Sequence, residues 1–207
     1  KTNLLPKELK PNRNLWSSVI ADFNNDGIDD FFVPYAEVDE WSQYPTKSGV
    51  YALSNGNKPS YSDYSDIGFV EEAKYGLSNS KFNYAIDYDI NLDGYKDIII
   101  AVTRKDPYYV GKGLQVFLNV EDPITDNRKF IPGDYLLPDE SLIDQYHGEG
   151  QLSVIDINND GIPDIAHTSG AYGYEYGLSF YINNGGSLTS MNENDFAYMS
   201  QEQMPVR

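Results

Sequence analysis

One nine-residue pattern, D-x-N-x-D-G-x-x-D, punctuates the chain three times. It reads "DFNNDGIDD" from Asp22, "DINLDGYKD" from Asp89 and "DINNDGIPD" from Asp156, at an equal spacing of 67 residues. A fixed period of this length marks a repeat architecture, in which each unit buries its apolar faces against its neighbours. The flanks repeat with the loops. A short apolar stretch precedes each one ("SSVIA" from Ser17, "YAIDY" from Tyr84, "LSVI" from Leu152). Another follows ("FFVPYA" from Phe31, "IIIAVT" from Ile98, "IAHT" from Ile165). These runs are short and rich in β-branched and aromatic residues, which suits strands better than helices.

A third strand opens with glycine in each unit: "GVYALSNGN" from Gly49, "GLQVFLNVE" from Gly113 and "GLSFYINNGG" from Gly177. A weaker fourth is expected around Tyr61 to Phe69, Phe130 to Leu137 and Phe196 to Met199. No stretch carries a sustained helical period. The reading is therefore all-β, with three four-stranded antiparallel units in tandem, the pattern of β-propeller blades. One segment, residues 1–207, divides into repeats at about 16–82, 83–149 and 150–207. Three units fall short of the four to eight that usually close a propeller. Further blades, from the same chain or another, are the expected partners.

The loop residues suit a hard cation. Calcium takes six to eight oxygens, and a short loop can offer them from alternate positions. Position 1 supplies a carboxylate (Asp22, Asp89, Asp156), position 3 an amide oxygen (Asn24, Asn91, Asn158) and position 5 a second carboxylate (Asp26, Asp93, Asp160). Glycine at position 6 (Gly27, Gly94, Gly161) permits the positive φ that folds a chain round an ion. Position 7 (Ile28, Tyr95, Ile162) would give its backbone carbonyl, which leaves its side chain free to vary. Position 9 (Asp30, Asp97, Asp164) adds a third carboxylate. An EF-hand is excluded, because Val33, Ile100 and His167 stand where its bidentate glutamate is required. The competing reading is a set of ordinary hairpin turns, since Asn, Asp and Gly favour such backbones. Three copies in register favour three Ca²⁺ sites.

Composition agrees. With 32 Asp and Glu against 15 Lys and Arg, the formal charge is −17. That balance argues against nucleic acid, whose phosphates need basic partners. No apolar run approaches the roughly 20 residues of a membrane-spanning helix. Cysteine is absent, which removes disulfides and thiolate metal sites. Beginning at Lys1, the chain is expected to be a processed product or a piece of a longer protein.

The stretches "VIADFNNDGIDDFFV", "AIDYDINLDGYKDIIIA" and "SVIDINNDGIPDIAH" resemble the FG-GAP repeats of α-integrin propellers and the similar VCBS repeats of bacterial surface proteins. The glycine-opened third strand, clearest in "GLSFYINNGG", extends the resemblance from about Trp16 to Asn184. The literal Phe-Gly and Gly-Ala-Pro signatures are missing or degraded, which brings the chain nearer to VCBS than to integrins proper. The resemblance implies a calcium loop between the first and second strands of each blade, structural ions and a norm of seven blades. It also implies an extracellular, cell-surface or secreted setting. Members include adhesins, lectins and non-catalytic parts of secreted polysaccharide-degrading enzymes.

The loops between second and third strands are rich in aromatics: Trp41 and Tyr44, then Tyr108 and Tyr109, then Tyr172, Tyr174 and Tyr176. Such rings stack on sugars or grip proteins, although they equally pack over a propeller's own channel. They are the candidate ligand-binding residues, on the face opposite the calcium loops. Catalysis finds no footing. His147 lies in a linker, His167 in an expected strand, and no nucleophile elbow or phosphate loop occurs. The expectation is a non-enzymatic adhesion or recognition module for glycan or protein. The alternatives are an accessory module of a secreted polysaccharide-degrading enzyme and a structural subunit of a surface assembly or fibre.

Overall fold

A computed structural model of the chain describes residues 13–14, 17–34, 36–37, 49–57, 59, 65–67, 80–104, 112–136, 150–168, 178–183 and 196–200. Among these there is no helix, and fourteen strands are present. The first sheet contains β2 (Val19–Ala21), β3 (Asp30–Pro34), β5 (Gly49–Ala52) and β6 (Ser65–Asp66). The second contains β7 (Ser80–Tyr88), β8 (Asp97–Arg104), β9 (Lys112–Asp122) and β10 (Asn127–Leu136). The third contains β11 (Leu152–Ile155), β12 (Asp164–Thr168), β13 (Leu178–Asn183) and β14 (Phe196–Ser200). Each sheet is an antiparallel meander in chain order. A two-residue ribbon of β1 (Arg13–Asn14) with β4 (Ala36–Glu37) pairs Arg13 with Glu37 and Asn14 with Ala36, the same positions relative to the loop as Ser80 with Arg104 and Lys81 with Thr103 at the outer end of β7 and β8.

The three sheets share one register. In the first, Val19 faces Phe32 and Phe32 faces Tyr51. In the second, Ile86 faces Ile99 and Ile99 faces Val116. In the third, Ser153 faces Ala166 and Ala166 faces Phe180. Counted from the first aspartate of each loop, the first two residues of these triplets fall at the same positions. The varying lengths of the later loops are thus absorbed before the third strand pairs.

Two apolar cores alternate with the sheets. β8 is the continuous β-branched run expected of a strand buried on both sides. Its Ile98, Ile100 and Val102 join Val19, Phe23, Phe32 and Tyr51 of the first sheet. Its Ile99 and Ala101 point the other way, into a core with Leu152, Ile165 and Tyr181 of the third sheet. The period-2 alternation of a strand is what lets one sheet serve both cores. Phe130 adds edge-to-face contacts with Phe23 at 5.1 Å and Tyr51 at 4.9 Å between ring centroids, locking the first sheet to the second.

Candidate metal centres

Each D-x-N-x-D-G-x-x-D loop joins the first strand of its sheet to the second, β2 to β3, β7 to β8 and β11 to β12. All three adopt the same hydrogen-bonded form. The position 5 amide donates to both the position 1 carboxylate and the position 3 side-chain oxygen. For Asp26 the distances are 3.1 Å to Asp22 Oδ1 and 3.2 Å to Asn24 Oδ1. For Asp93 they are 2.9 Å to Asp89 Oδ1 and 3.1 Å to Asn91 Oδ1. For Asp160 they are 3.0 Å to Asp156 Oδ1 and 3.1 Å to Asn158 Oδ1. The other position 1 oxygen accepts the glycine amide, Gly27 at 2.8 Å, Gly94 at 2.8 Å and Gly161 at 2.9 Å. The position 5 carboxylate accepts the position 7 amide, from Ile28 at 2.9 Å, Tyr95 at 2.9 Å and Ile162 at 2.8 Å. Oxygens from positions 1 and 3 therefore meet at a single N–H, with position 5 beside them.

The backbone turns at two places in each loop. The expected glycines have φ of 84°, 90° and 84° at Gly27, Gly94 and Gly161. Position 4 is also left-handed, at 59° for Asn25, 59° for Leu92 and 62° for Asn159. Asparagine tolerates that region and leucine does not, so the pattern letter at position 4 concealed a constraint that two of the three copies honour.

Position 9 works differently. Asp30, Asp97 and Asp164 are buried, and each carboxylate bridges two backbone amides. One is at position 2 of its own loop: Phe23 at 2.8 Å, Ile90 at 3.1 Å and Ile157 at 2.8 Å. The other is in or just beyond the third strand: Ser54 at 2.5 Å, Asn119 at 2.8 Å and Asn183 at 2.8 Å. The same aspartate thus fastens the loop to the sheet, a role the sequence pattern did not reveal. Each oxygen keeps a further lone pair beyond the amide it accepts.

Burial pushes the Asp97 carboxyl up to about 7, against the opposing pull of the Asn119 and Ile90 amides, and the charges of Asp93 and Asp89 add to the rise. Burial likewise raises Asp30. Both carboxylates are disfavoured in their ionised form, the condition that a neighbouring cation reverses. The Ser54 hydroxyl, at 2.7 Å, is the main influence holding Asp26 below the ordinary carboxylate range.

Among the described residues no group of three or more Asp, Glu or His side chains stands ready as a cage. Each loop offers one carboxylate and an amide oxygen around one N–H with a second carboxylate beside them, and the third carboxylate serves the sheet. This all-oxygen set fits a hard cation and suits neither zinc nor copper, which favour imidazole or thiolate. Asp29 at position 8 is exposed, while its counterpart Lys96 pairs with Asp87 at 2.7 Å.

The first and second loops lie side by side, Asn25 Nδ2 donating to Gly94 O at 3.0 Å. A polar cleft of about 1050 Å³ adjoins them, bounded by the first loop, the residues after β5 and the tight β9–β10 turn. Arg128 lies 3.6 Å above the Tyr95 ring, and its Nε donates to Asn119 Oδ1 at 3.0 Å. Lys129 reaches Asp122 at 3.4 Å. Asn24 Nδ2 and Asn127 Nδ2 both reach Ser54 O, at 2.9 and 3.4 Å. None of these cleft residues beyond Asn24, Asp26 and Tyr95 is marked by the repeat pattern.

Of the other expected residues, Trp41, Tyr44, Tyr108, Tyr109, Tyr172, Tyr174, Tyr176 and His147 lie outside the described residues. His167 is buried in β12 opposite Leu152, as expected of a packed side chain. Compared with known proteins, the chain matches no protein-family profile and no curated sequence.

Proposed function

We propose that the chain is a calcium-stabilised segment of a β-propeller of the FG-GAP/VCBS kind, acting outside the cell in adhesion or in recognition of glycan or protein. The observation that carries this reading is the identity of the three loops. Three sequences that differ at positions 2, 4, 7 and 8 fold into one arrangement of side-chain oxygens, each joining the first two strands of a like-registered sheet. Asp22, Asn24, Asp26 and the Ile28 carbonyl would hold the first ion, with Asp30 behind them. The second would fall to Asp89, Asn91, Asp93, Tyr95 and Asp97, and the third to Asp156, Asn158, Asp160, Ile162 and Asp164. Bound cations would supply positive charge where the loops have gathered carboxylates, and three Ca²⁺ ions would bring the formal charge from −17 to −11. The ions are structural, and no residue is assigned a catalytic step.

The cleft beside the first two loops favours a neutral, polyhydroxylated ligand. Its two cationic side chains are already engaged, Arg128 with Tyr95 and Asn119 and Lys129 with Asp122. What remains toward the opening is amide, hydroxyl and carboxylate, the chemistry that recognises sugar hydroxyls. Screening the intact chain against a glycan array, with calcium present, tests this reading. Saturable binding weakened at least fivefold by joint Asn55→Ala and Asn57→Ala substitution is expected. Binding that ignores the double substitution would move recognition away from the cleft, toward the aromatic 2–3 loops. An array without hits would favour the scaffold roles, as accessory module or assembly subunit.

A further inference from the structure

The sheets are joined by a contact that recurs. Asn119, three residues before the end of β9 in the second sheet, donates Nδ2 to the carbonyl of Phe23 at 2.7 Å. Phe23 is position 2 of the loop in the first sheet. Asn183, at the matching place in the third sheet, donates Nδ2 to the carbonyl of Ile90 at 3.2 Å. Ile90 is position 2 of the loop in the second sheet. Both asparagines also give their backbone N–H to the position 9 aspartate of their own sheet. The second and third sheets therefore each grip the loop of the sheet before them through one amide group, with their own loop fixing where that amide stands.

The side chains at the contact follow the same direction. Phe23 and Ile90 are fully buried, one in each core. The residues just before each loop, Ala21 and Tyr88, turn toward the following sheet and pack into those cores.

The third sheet repeats every donor half of this arrangement and lacks the acceptor's partner. Ile157, its position 2, gives its N–H to Asp164 as Phe23 and Ile90 do to theirs. No described residue donates to its carbonyl, and its side chain is partly exposed. Ile155, the counterpart of Ala21 and Tyr88, is 49% exposed. At the other end of the series, Ser54 stands where Asn119 and Asn183 stand, and its hydroxyl turns to Asp26 at 2.7 Å instead.

We infer that the face of the third sheet bearing Ile155 and the Ile157 carbonyl is a docking surface for a further four-stranded sheet of the same repeat type, one that carries asparagine where Asn119 and Asn183 stand. A second copy of this chain fits poorly, because its first sheet would bring Ser54, which lacks the amide donor. The inference rests on the repeat reading proposed above and is independent of whether the loops hold calcium.

The test appends a fourth unit to the full chain, copied from residues 83–149 and so carrying a copy of Asn119, with a linker that keeps the 67-residue spacing. Amide hydrogen exchange is read at Ile155 to Ile157. Protection there is expected to rise at least tenfold over the unextended chain. The gain should fall at least fivefold when the copied asparagine is changed to serine, or when Ile155→Asp is introduced. If the appended unit does not fold, the same readings are taken with a unit copied from residues 150–207, which carries Asn183. A folded extra unit that leaves Ile155 to Ile157 unprotected overturns the inference. So does concentration-dependent association of the unextended chain that Ile155→Asp abolishes, since the occupant would then be a second copy. Running the melts with and without chelator separates these outcomes from failure of the calcium reading.

Discussion

Leu92 holds a left-handed backbone, φ 59°, at a position where the other two loops use asparagine. It is also 59% exposed, so packing gives little in return. A side chain with a Cβ costs about 1–2 kcal/mol in this region, and asparagine recovers much of that. Leu92→Asn is expected to stabilise the chain by about 1 kcal/mol in urea denaturation, and Asn25→Leu to cost a similar amount. Asn119 presents the opposite case. It is buried, donates to Phe23 O and Lys96 O at 2.7 and 2.9 Å, and accepts from Arg128. Asn119→Ala would remove the amide donor from two carbonyls and one acceptor from Arg128, which keeps the Asn119 backbone carbonyl. A loss of about 2–4 kcal/mol is expected, because unsatisfied buried polar groups cost about 1–3 kcal/mol each. A loss below 1 kcal/mol would mean that water replaces the amide easily.

Among the elements, the strands were largely legible and their fastenings were not. The runs from Ile98, Gly113 and Gly177 became β8, β9 and β13 because β-branched alternation leaves little choice of period. The fourth strands were weaker signals, and β10 begins at Asn127, earlier than the apolar run that suggested it. The position 9 aspartate carries no local clue to its second task. Its partners at Ser54, Asn119 and Asn183 lie about twenty residues away, past loops whose lengths differ. Arg128 and Asn127 escaped notice for the same reason, since a cleft between two sheets has no signature in either alone. Glycine at Gly150 is another long-range requirement. A Cβ there would lie 1.4 Å from Thr168 O, where β11 and β12 are closed by Thr168 N to Gln151 O at 3.1 Å. Gly150→Ala is expected to cost at least about 1–3 kcal/mol, the usual range for overpacking, with faster amide exchange along β11.

At the scale of the molecule, β8 in the second sheet is packed on both faces, while the first strands of the other two sheets leave isoleucine in the open, Ile20 at 66% and Ile155 at 49% exposure. Local stability follows burial. Amides of Ile98 to Val102 are expected to exchange slowest in the chain, and those of β2 and β11 at least tenfold faster. The acidic charge acts on the same scale, since each loop adds carboxylates to a chain already at −17. A ligand bound only by the folded state at a hundred times its dissociation constant adds about 2.7 kcal/mol. In a chain of this size each kcal/mol moves the melting temperature by about 2–4 °C. The decisive measurement is therefore the thermal melt of the intact chain with excess calcium and with chelator. The three-loop account expects chelation to lower the midpoint by at least about 5 °C, with recovery on adding calcium back. A midpoint that does not move would contradict it.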